Sequence, residues 1–270
     1  MRIIRNKSTQ DSENVTCPLC GLDNIELFLQ DGHFRLVRCK RCGLVYINPR
    51  PPRKKLHRKN NTSVNANEEM MDHIGYISFS HLHELKARKF LGMIKKHKNR
   101  GKLLDVGCAA GFFLNSAKHE GFEPFGVETS ENLASFAKRE FKLNIFCGTL
   151  REAGFPDESF EIVTMLDVLS HLSKPVDDLN EIFRILQKDG LLLIETGNKG
   201  DLNAKIITRF GDTMGSPNHL YHFGEHSLMK LLDLTGFECL SIKRYSLIPS
   251  RKVSSPTRLS RCFITMGAFW

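Results

Sequence analysis

The stretch from Leu103 to Glu128 limits the fold of this 270-residue chain more than any other segment. It holds a short apolar strand, a glycine-containing turn, a helix and a second strand in immediate succession. Similar strand and helix patterns alternate from there to the strand FECLSIKRY near the C-terminus. This alternation predicts a Rossmann-like α/β fold, in which a mostly parallel sheet carries helices on both faces.

The turn after the first strand carries Gly107, Ala109 and Gly111. Units of this shape bind dinucleotides or S-adenosylmethionine, and dinucleotide sites use a third glycine where this chain has Phe112. Asp105 lies near the end of the strand, beside the turn. Its carboxylate would repel a pyrophosphate but would attract the ammonium and sulfonium groups of S-adenosylmethionine. These residues therefore favour S-adenosylmethionine, and we expect Ala109 to add only a methyl group that a methionyl chain tolerates.

Polar residues at the next two strand ends extend this interpretation. Glu128 ends the second strand, 21 residues after Gly107, and an acid in this place can accept hydrogen bonds from both ribose hydroxyls. Gly148 and Thr149 follow the third strand, where the adenine ring would meet the edge of the sheet.

Five motifs together resemble the class I S-adenosylmethionine-dependent methyltransferases: DVGCAAGFF, GVE, FPDESFEIVTMLDVLSHLSKP, GLLLIETGN and HLYHF. The resemblance covers roughly residues 76–245. It implies a seven-stranded sheet whose last strand is antiparallel. It also implies that the glycine turn lines the methionine end, that Thr149 and Leu150 flank adenine, and that Leu166 lies under the sulfonium. The expected cofactor-binding residues are Asp105, Gly107, Ala109, Gly111, Glu128, Thr149, Leu150, Leu166 and Asp167.

The N-terminal region carries two CxxCG pairs, CPLCG and CKRCG, in the spacing C-x₂-C-x₁₈-C-x₂-C. Four thiolates at this spacing predict a closed, tetrahedral and structural zinc site, with iron as the alternative metal. A block of about 33 residues cannot bury enough core alone, so the metal would supply its folding energy. The predicted ligands are Cys17, Cys20, Cys39 and Cys42.

These patterns divide the chain into four predicted segments. They are a zinc-ribbon module over residues 13–50, a basic and polar linker over 51–75, the methyltransferase domain over 76–248, and a basic tail over 249–270.

Three histidines follow strands of the predicted domain: His171 after the fourth strand, and His219 and His222 in HLYHF. Histidine suits proton removal near neutral pH, so each is a candidate base or orienting group for the acceptor, with a structural role as the alternative. The segment MLDVLSH also resembles the magnesium-binding segment of ubiquinone-type O-methyltransferases. Here Ser170 replaces a carboxylate, so we expect no catalytic metal and place Asp167 near the cofactor or a substrate hydroxyl.

The net charge of +9 is concentrated in residues 50–60 and 241–262, each of which holds six basic residues and no acid. Such segments are solvated surface or bind an anionic partner such as RNA. An RNA methyltransferase is the alternative function, but the asparagine-proline-proline-aromatic motif of amino-group methyltransferases is absent. A cofactor-binding scaffold without catalysis is the further alternative. We therefore expect a small-molecule acceptor with an oxygen or carbon nucleophile.

The sequence also bears on where the chain works. No apolar run approaches the roughly 20 residues that span a bilayer, and the N-terminus lacks the apolar stretch of a secretory signal. We expect the protein in the cytoplasm.

Overall fold

The computed structural model describes residues 12–31, 34–52, 80–197, 219–246 and 260–268. Most of the linker expected over residues 51–75 lies outside these ranges. The strands are β1 Ile25–Asp31, β2 Phe34–Cys39, β3 Val45–Ile47, β4 Lys102–Val106, β5 Glu123–Glu128, β6 Asn144–Cys147, β7 Phe160–Leu166, β8 Leu186–Gly197, β9 Tyr221–His222, β10 Phe237–Ser246 and β11 Ser260–Ala268. The α-helices are α1 Ser80–Ile94, α2 Phe112–His119, α3 Glu131–Phe141, α4 Leu150–Ala153, α5 Pro175–Ile185 and α6 Glu225–Leu234, with a 3₁₀ turn at Leu169–His171.

The larger sheet has seven strands in the order β10-β11-β8-β7-β4-β5-β6. Strands β6, β5, β4, β7 and β8 are parallel, whereas β11 runs antiparallel to both β8 and β10. This confirms the predicted Rossmann-like, mostly parallel sheet. The chain moves to one side of β4 through β5 and β6 and then returns to the other side through β7 and β8. In open α/β sheets, ligands bind at the carboxyl ends of the strands where the order reverses in this way.

The resemblance implies a seventh, antiparallel strand without placing it, and the sequence predicts a basic tail over residues 249–270. That segment contains β11, which inserts between β8 and β10 and pairs with both. Strand β10 directly precedes it, but residues 247–259 separate the two strands, so no short hairpin turn indicates the pairing. The segment therefore completes the sheet as its seventh strand.

The sequence predicts a helix from about residue 112 to 119 and a second helix over the stretch ENLASFAKREF. The structure has these helices at Phe112–His119 and Glu131–Phe141. Ser130 caps the start of α3, where its side chain accepts a hydrogen bond from the Leu133 N–H, and Lys142 in the left-handed conformation caps the end. Such caps satisfy the backbone groups that a helix leaves unpaired at its ends.

The smaller sheet has four strands in the order β1-β2-β3-β9, all antiparallel. Three of them belong to the N-terminal module, but β9 comes from the methyltransferase region. Tyr221 and His222 of β9 pair with Tyr46 and Val45 of β3. The large domain thus supplies the last strand of the N-terminal module.

One apolar core runs through both parts of the molecule. It includes Cys17 and Tyr46 from the N-terminal module and Leu169 and Phe223 from the large domain. At the margin, the Arg50 guanidinium donates hydrogen bonds to the Tyr221 hydroxyl at 2.8 Å and to a backbone carbonyl at 3.2 Å. The module therefore packs as part of the domain.

Among the residues that the structure describes, no helix has the length and apolar character needed to cross a bilayer.

Gly111 and Gly154 form a matched pair for measuring how tightly the glycine turn is packed. Both have positive φ, but a Cβ on Gly111 would lie 2.8 Å from Leu143 Cδ1, whereas a Cβ on Gly154 would contact nothing within 4 Å. We expect Gly154→Ala to cost only the left-handed strain of about 1–2 kcal/mol. Gly111→Ala should lower the free energy of urea unfolding by about 1–3 kcal/mol more, because it also overpacks the core. Equal losses in the two variants would contradict the tight packing at Gly111.

Candidate active site

A cavity of about 310 Å³ lies at the carboxyl ends of β4, β7 and β8. The turn after β4 forms one side, the residues that end β7 and β8 form the floor, and one face of α1 forms the opposite wall. The position is the reversal point of the sheet, where the topology predicts a ligand.

The turn after β4 holds three residues in the left-handed conformation: Gly107 with φ 74°, Ala109 with φ 48° and Gly111 with φ 79°. Such a conformation costs about 1–2 kcal/mol for alanine, because its Cβ approaches the backbone. The Ala109 N–H donates a hydrogen bond of 2.9 Å to Glu128, whose other carboxylate oxygen accepts from the Ser130 N–H at 2.8 Å. The Glu128 carboxylate therefore fixes the strained turn to the end of β5.

Gly107 packs closely against the loop after β7. A Cβ at this position would lie 2.4 Å from Val168 Cγ2, so only glycine fits between the turn and that loop. Gly107 also lines the cavity, which places its backbone where a ligand would contact the turn.

Asp105 is buried at the base of the cavity and is 2% exposed. The Thr164 hydroxyl donates a hydrogen bond of 2.6 Å to its carboxylate. Burial, with a smaller contribution from the nearby Glu128 charge, raises the pKa of Asp105 to about 7. A buried carboxylate of this kind is stabilised in its charged form by a cationic ligand, as the sequence argument requires.

The predicted cofactor residues fall into two groups. One group lines the cavity: Asp105, Gly107, Ala109, Leu166 and Asp167. The residues of the other group do not line the cavity within the part of the chain that the structure describes: Gly111, Glu128, Thr149 and Leu150.

The second group lies at or near the same turn and farther along the sheet edge. Gly111 starts α2, and Glu128 holds the turn from the end of β5. Thr149 caps α4, and Leu150 is buried in the core with 6% exposure. Their binding roles stay predictions.

The wall formed by α1 was not predicted. His83, Lys86, Ala87 and Phe90 line the cavity, and their spacing places them on one face of the helix. The ring of His83 stacks on Phe112 of α2 with centroids 5.5 Å apart. A period near 3.6 residues predicts the helix from its apolar residues Leu82, Leu85, Phe90, Leu91 and Ile94. No local signal shows which edge of the sheet a helix will cover.

Glu195 is the second unpredicted residue. It lies near the end of β8, lines the cavity, and is 1% exposed. An acid near the end of an otherwise apolar strand, as in GLLLIET, is the signal that also marks Asp105 and Glu128, and it could have identified Glu195.

The three predicted histidines are brought together. The ring centroids of His171 and His219 are 4.6 Å apart, and those of His219 and His222 are 6.3 Å apart. In the part of the chain that the structure describes, they are not among the cavity-lining residues, and His222 belongs to the β3–β9 pairing. A histidine base stays a prediction.

The four predicted ligand cysteines form one cluster, with all four sulfur atoms within 4.8 Å of one another. Each pair folds as a knuckle: the N–H groups of Gly21 and Gly43, both with positive φ, donate to the carbonyls of Cys17 and Cys39 at 2.8 and 2.9 Å. Burial and the neighbouring cysteines raise the pKa of Cys20 to about 11. Only a bound cation would hold four thiolates here, so the donor set fits a zinc ribbon.

The sequence matches the methyltransferase domain family over residues 78–242. The chain belongs to this methyltransferase family. That membership confirms the enzyme class predicted from the motifs, and the buried acid beside the glycine turn agrees with it.

Related proteins cover much of the same region. An uncharacterized protein of Methanocaldococcus jannaschii is 30% identical over 173 residues, which are 63% of this chain and 70% of that protein. A ubiquinone biosynthesis O-methyltransferase of Coxiella burnetii is 25% identical over 53% of this chain and 70% of its own length. The crystal structure of a SAM-dependent methyltransferase from Archaeoglobus fulgidus covers 71% of this chain and 99% of that chain, with a TM-score of 0.56 and 22% identity. That likeness shows a shared fold.

Replacing Asp105 by asparagine should change how stability depends on pH. The unfolded chain releases this proton near 3.8 and the folded chain near 7, so the free energy of unfolding should fall as pH rises through this window. Asp105→Asn removes the group that causes this fall in stability. The free energy of unfolding of the variant, relative to that of the wild type, should therefore rise from pH 5 to pH 7 and then level off.

Urea unfolding at pH 5, 6, 7 and 8 measures this difference, with the exposed Asp233→Asn as the control. A difference for Asp105→Asn that does not vary with pH would contradict a raised pKa.

Proposed function

We propose that the chain transfers a methyl group from S-adenosylmethionine to an oxygen or carbon atom of a small-molecule acceptor. The observation that carries this proposal is the cavity itself, which is lined by the glycine turn at Gly107 and by the buried Asp105 carboxylate. A cationic, phosphate-free methionyl group matches both features.

The turn and its neighbours would hold the cofactor. Asp105 accepts the methionine ammonium, and the backbone of Gly107 and Ala109 contacts the methionyl chain. Glu128 binds a ribose hydroxyl, since its Oε2 has a further lone pair beyond the hydrogen bond from the Ala109 N–H, whereas its Oε1 accepts from the Ser130 N–H and from the Thr129 hydroxyl. Thr149 and Leu150 would flank the adenine at the end of β6.

The protein's contribution to the reaction is alignment and exclusion of water. S-adenosylmethionine supplies a methyl carbon whose bond to sulfur breaks, with its electron pair passing to sulfur, as the acceptor atom bonds to that carbon. The turn after β4 and Leu166 fix the line of attack, and α1 covers the cavity. For an oxygen or carbon acceptor, a base must also take the acceptor proton, and the predicted histidines are candidates for that role.

The charge of the lining supports a small molecule over RNA. Asp105, Asp167 and Glu195 line the cavity, with Lys86 as the lysine among the lining residues. Such a surface repels a phosphate backbone, and nucleic-acid binding depends on neutralising phosphates. The O-methyltransferase name of the Coxiella burnetii relative agrees with an oxygen acceptor. If the acceptor is a small molecule, we expect protein purified at low salt to carry no nucleic acid.

Calorimetry with S-adenosylmethionine tests the cofactor assignment. We expect binding to one site per chain, and about tenfold weaker binding at pH 6 than at pH 8, because the Asp105 proton must leave before its carboxylate pairs with the ammonium. Asp105→Asn should bind at least tenfold more weakly at pH 8, since charged hydrogen bonds contribute about 1.5–3 kcal/mol. It should also lose most of the pH dependence. Wild-type protein that binds no S-adenosylmethionine would refute the proposed function.

The cysteine cluster would hold one structural zinc ion, which orders the module that pairs with β9. We expect purified protein to contain one zinc per chain by elemental analysis. Cys42→Ser should lose the metal and unfold at a lower temperature, because metal binding supplies folding energy to a small module. Cys147→Ser changes an exposed cysteine outside the cluster and serves as the control. Full zinc content in Cys42→Ser would exclude this cysteine as a ligand.

A further inference from the structure

Glu195 is a buried acid in the cavity that the proposed cofactor contacts do not use. Strand β7 lies between β4 and β8, so Glu195 is two strands from Asp105, or roughly 10 Å at the usual spacing of strands. The proposed cofactor extends in the other direction, from β4 across β5 to β6. Glu195 therefore lies on the side of the cavity away from the adenosyl group.

The register of the sheet aims Glu195 into the same space as the reacting group. Asp105 pairs with Thr164, and Leu166, two residues later, pairs with Glu195. Because alternate residues share one face of a strand, Asp105, Leu166 and Glu195 all point to one face. Leu193, which precedes Glu195 on that face, packs in the same core cluster as Phe90 of α1. Glu195 thus faces α1 beyond the proposed position of the sulfonium.

The surroundings of Glu195 favour a neutral or cationic group over an anion. Its carboxylate shares the cavity with those of Asp105 and Asp167. Across from it, the lining face of α1 presents Lys86 beside the small Ala87, and Lys89 of the same helix interacts electrostatically with Glu195 without lining the cavity. When both lysines and the net positive cofactor are counted, the three lining carboxylates still match the positive charge.

We propose that Glu195 recognises the acceptor, and that its carboxylate accepts a hydrogen bond from a hydroxyl or ammonium group of that molecule. This inference rests on the proposed function, because it places the cofactor over β4, β5 and β6. A buried carboxylate is an acceptor that rejects analogues lacking a donor, so Glu195 sets specificity at the β8 side of the cavity.

Three probes that share one ring test this role: 2-phenylethanol, 2-phenylethylamine and ethylbenzene, which end in a hydroxyl, an ammonium and neither group. Binding to the protein loaded with S-adenosylhomocysteine is measured by ligand-observed NMR titration. Wild type should bind at least one donor-bearing probe about tenfold more tightly than ethylbenzene, as expected for a hydrogen bond to a charged group. The preferred probe shows whether the group that Glu195 recognises is a hydroxyl or an ammonium.

Two variants separate recognition from folding. Glu195→Gln keeps the shape of the side chain but removes its charge, so it should weaken the binding of the ammonium probe most. Glu195→Ala should lower the affinities for both donor-bearing probes to the affinity for ethylbenzene. Glu238→Gln, at an exposed position, is the control and should bind the three probes with the same affinities as the wild type. Circular dichroism checks the fold, and calorimetry should give S-adenosylmethionine affinities within about twofold of wild type for every variant.

The outcomes also separate this inference from the proposed function. Wild type that binds no S-adenosylmethionine refutes the function and the inference together. Cofactor binding without a preference for donor probes, or with a preference that survives in Glu195→Ala, overturns the role of Glu195 alone. A loss of cofactor affinity in Glu195→Ala as large as that in Asp105→Asn would assign Glu195 to the cofactor side and overturn the inference as well.

Discussion

The hydrogen bond from the Ala109 N–H to the Glu128 carboxylate holds the turn after β4 to the end of β5. The turn carries an alanine in the left-handed conformation, which an isolated chain disfavours. Two backbone donors on one buried carboxylate offset that cost, and they fix the direction of the N–H groups and of Gly107. The conformation of the turn beside Asp105 therefore depends on this small network of hydrogen bonds. The wall formed by α1 and the floor from β7 then close a space whose first side is already rigid.

Buried acids near the ends of three strands give this edge of the sheet its chemical character. Asp105, Glu128 and Glu195 are each 9% exposed or less. Carboxylates are costly to bury, and each of them lies where a donor or a cation can compensate: Thr164 at Asp105, backbone N–H groups at Glu128, and the lysine-bearing helix α1 opposite Glu195. An edge with this pattern disfavours pyrophosphate and favours a cationic adenosyl compound. The same logic extends from the cofactor to the acceptor.

Local patterns in the sequence predicted the elements that local rules determine. The bounds of α2 and α3, the strands β4 and β7, and the two cysteine knuckles follow from apolar periods, helix caps and turn glycines. What the sequence did not reveal depends on contacts between distant segments. Strand β11 pairs with β8, which lies far before it in the sequence, and with β10 across the long connection 247–259. The α1 wall packs against α2. The histidines of HLYHF lie beside the N-terminal module because β9 pairs with β3, a contact that no motif records.

The β3–β9 pairing also gives the cysteine cluster a physical route to the cavity. Strand β3 follows the second cysteine pair directly, and its Ile47 N–H donates to the Leu220 carbonyl at 3.1 Å. The Leu220 N–H in turn donates to the Ser170 carbonyl at 2.8 Å, in the 3₁₀ turn just after Asp167 and Val168. Those two residues line the cavity, and Val168 packs against the site of Gly107. The N-terminal module is therefore connected to the loop after β7 by a continuous chain of backbone hydrogen bonds through β3 and Leu220.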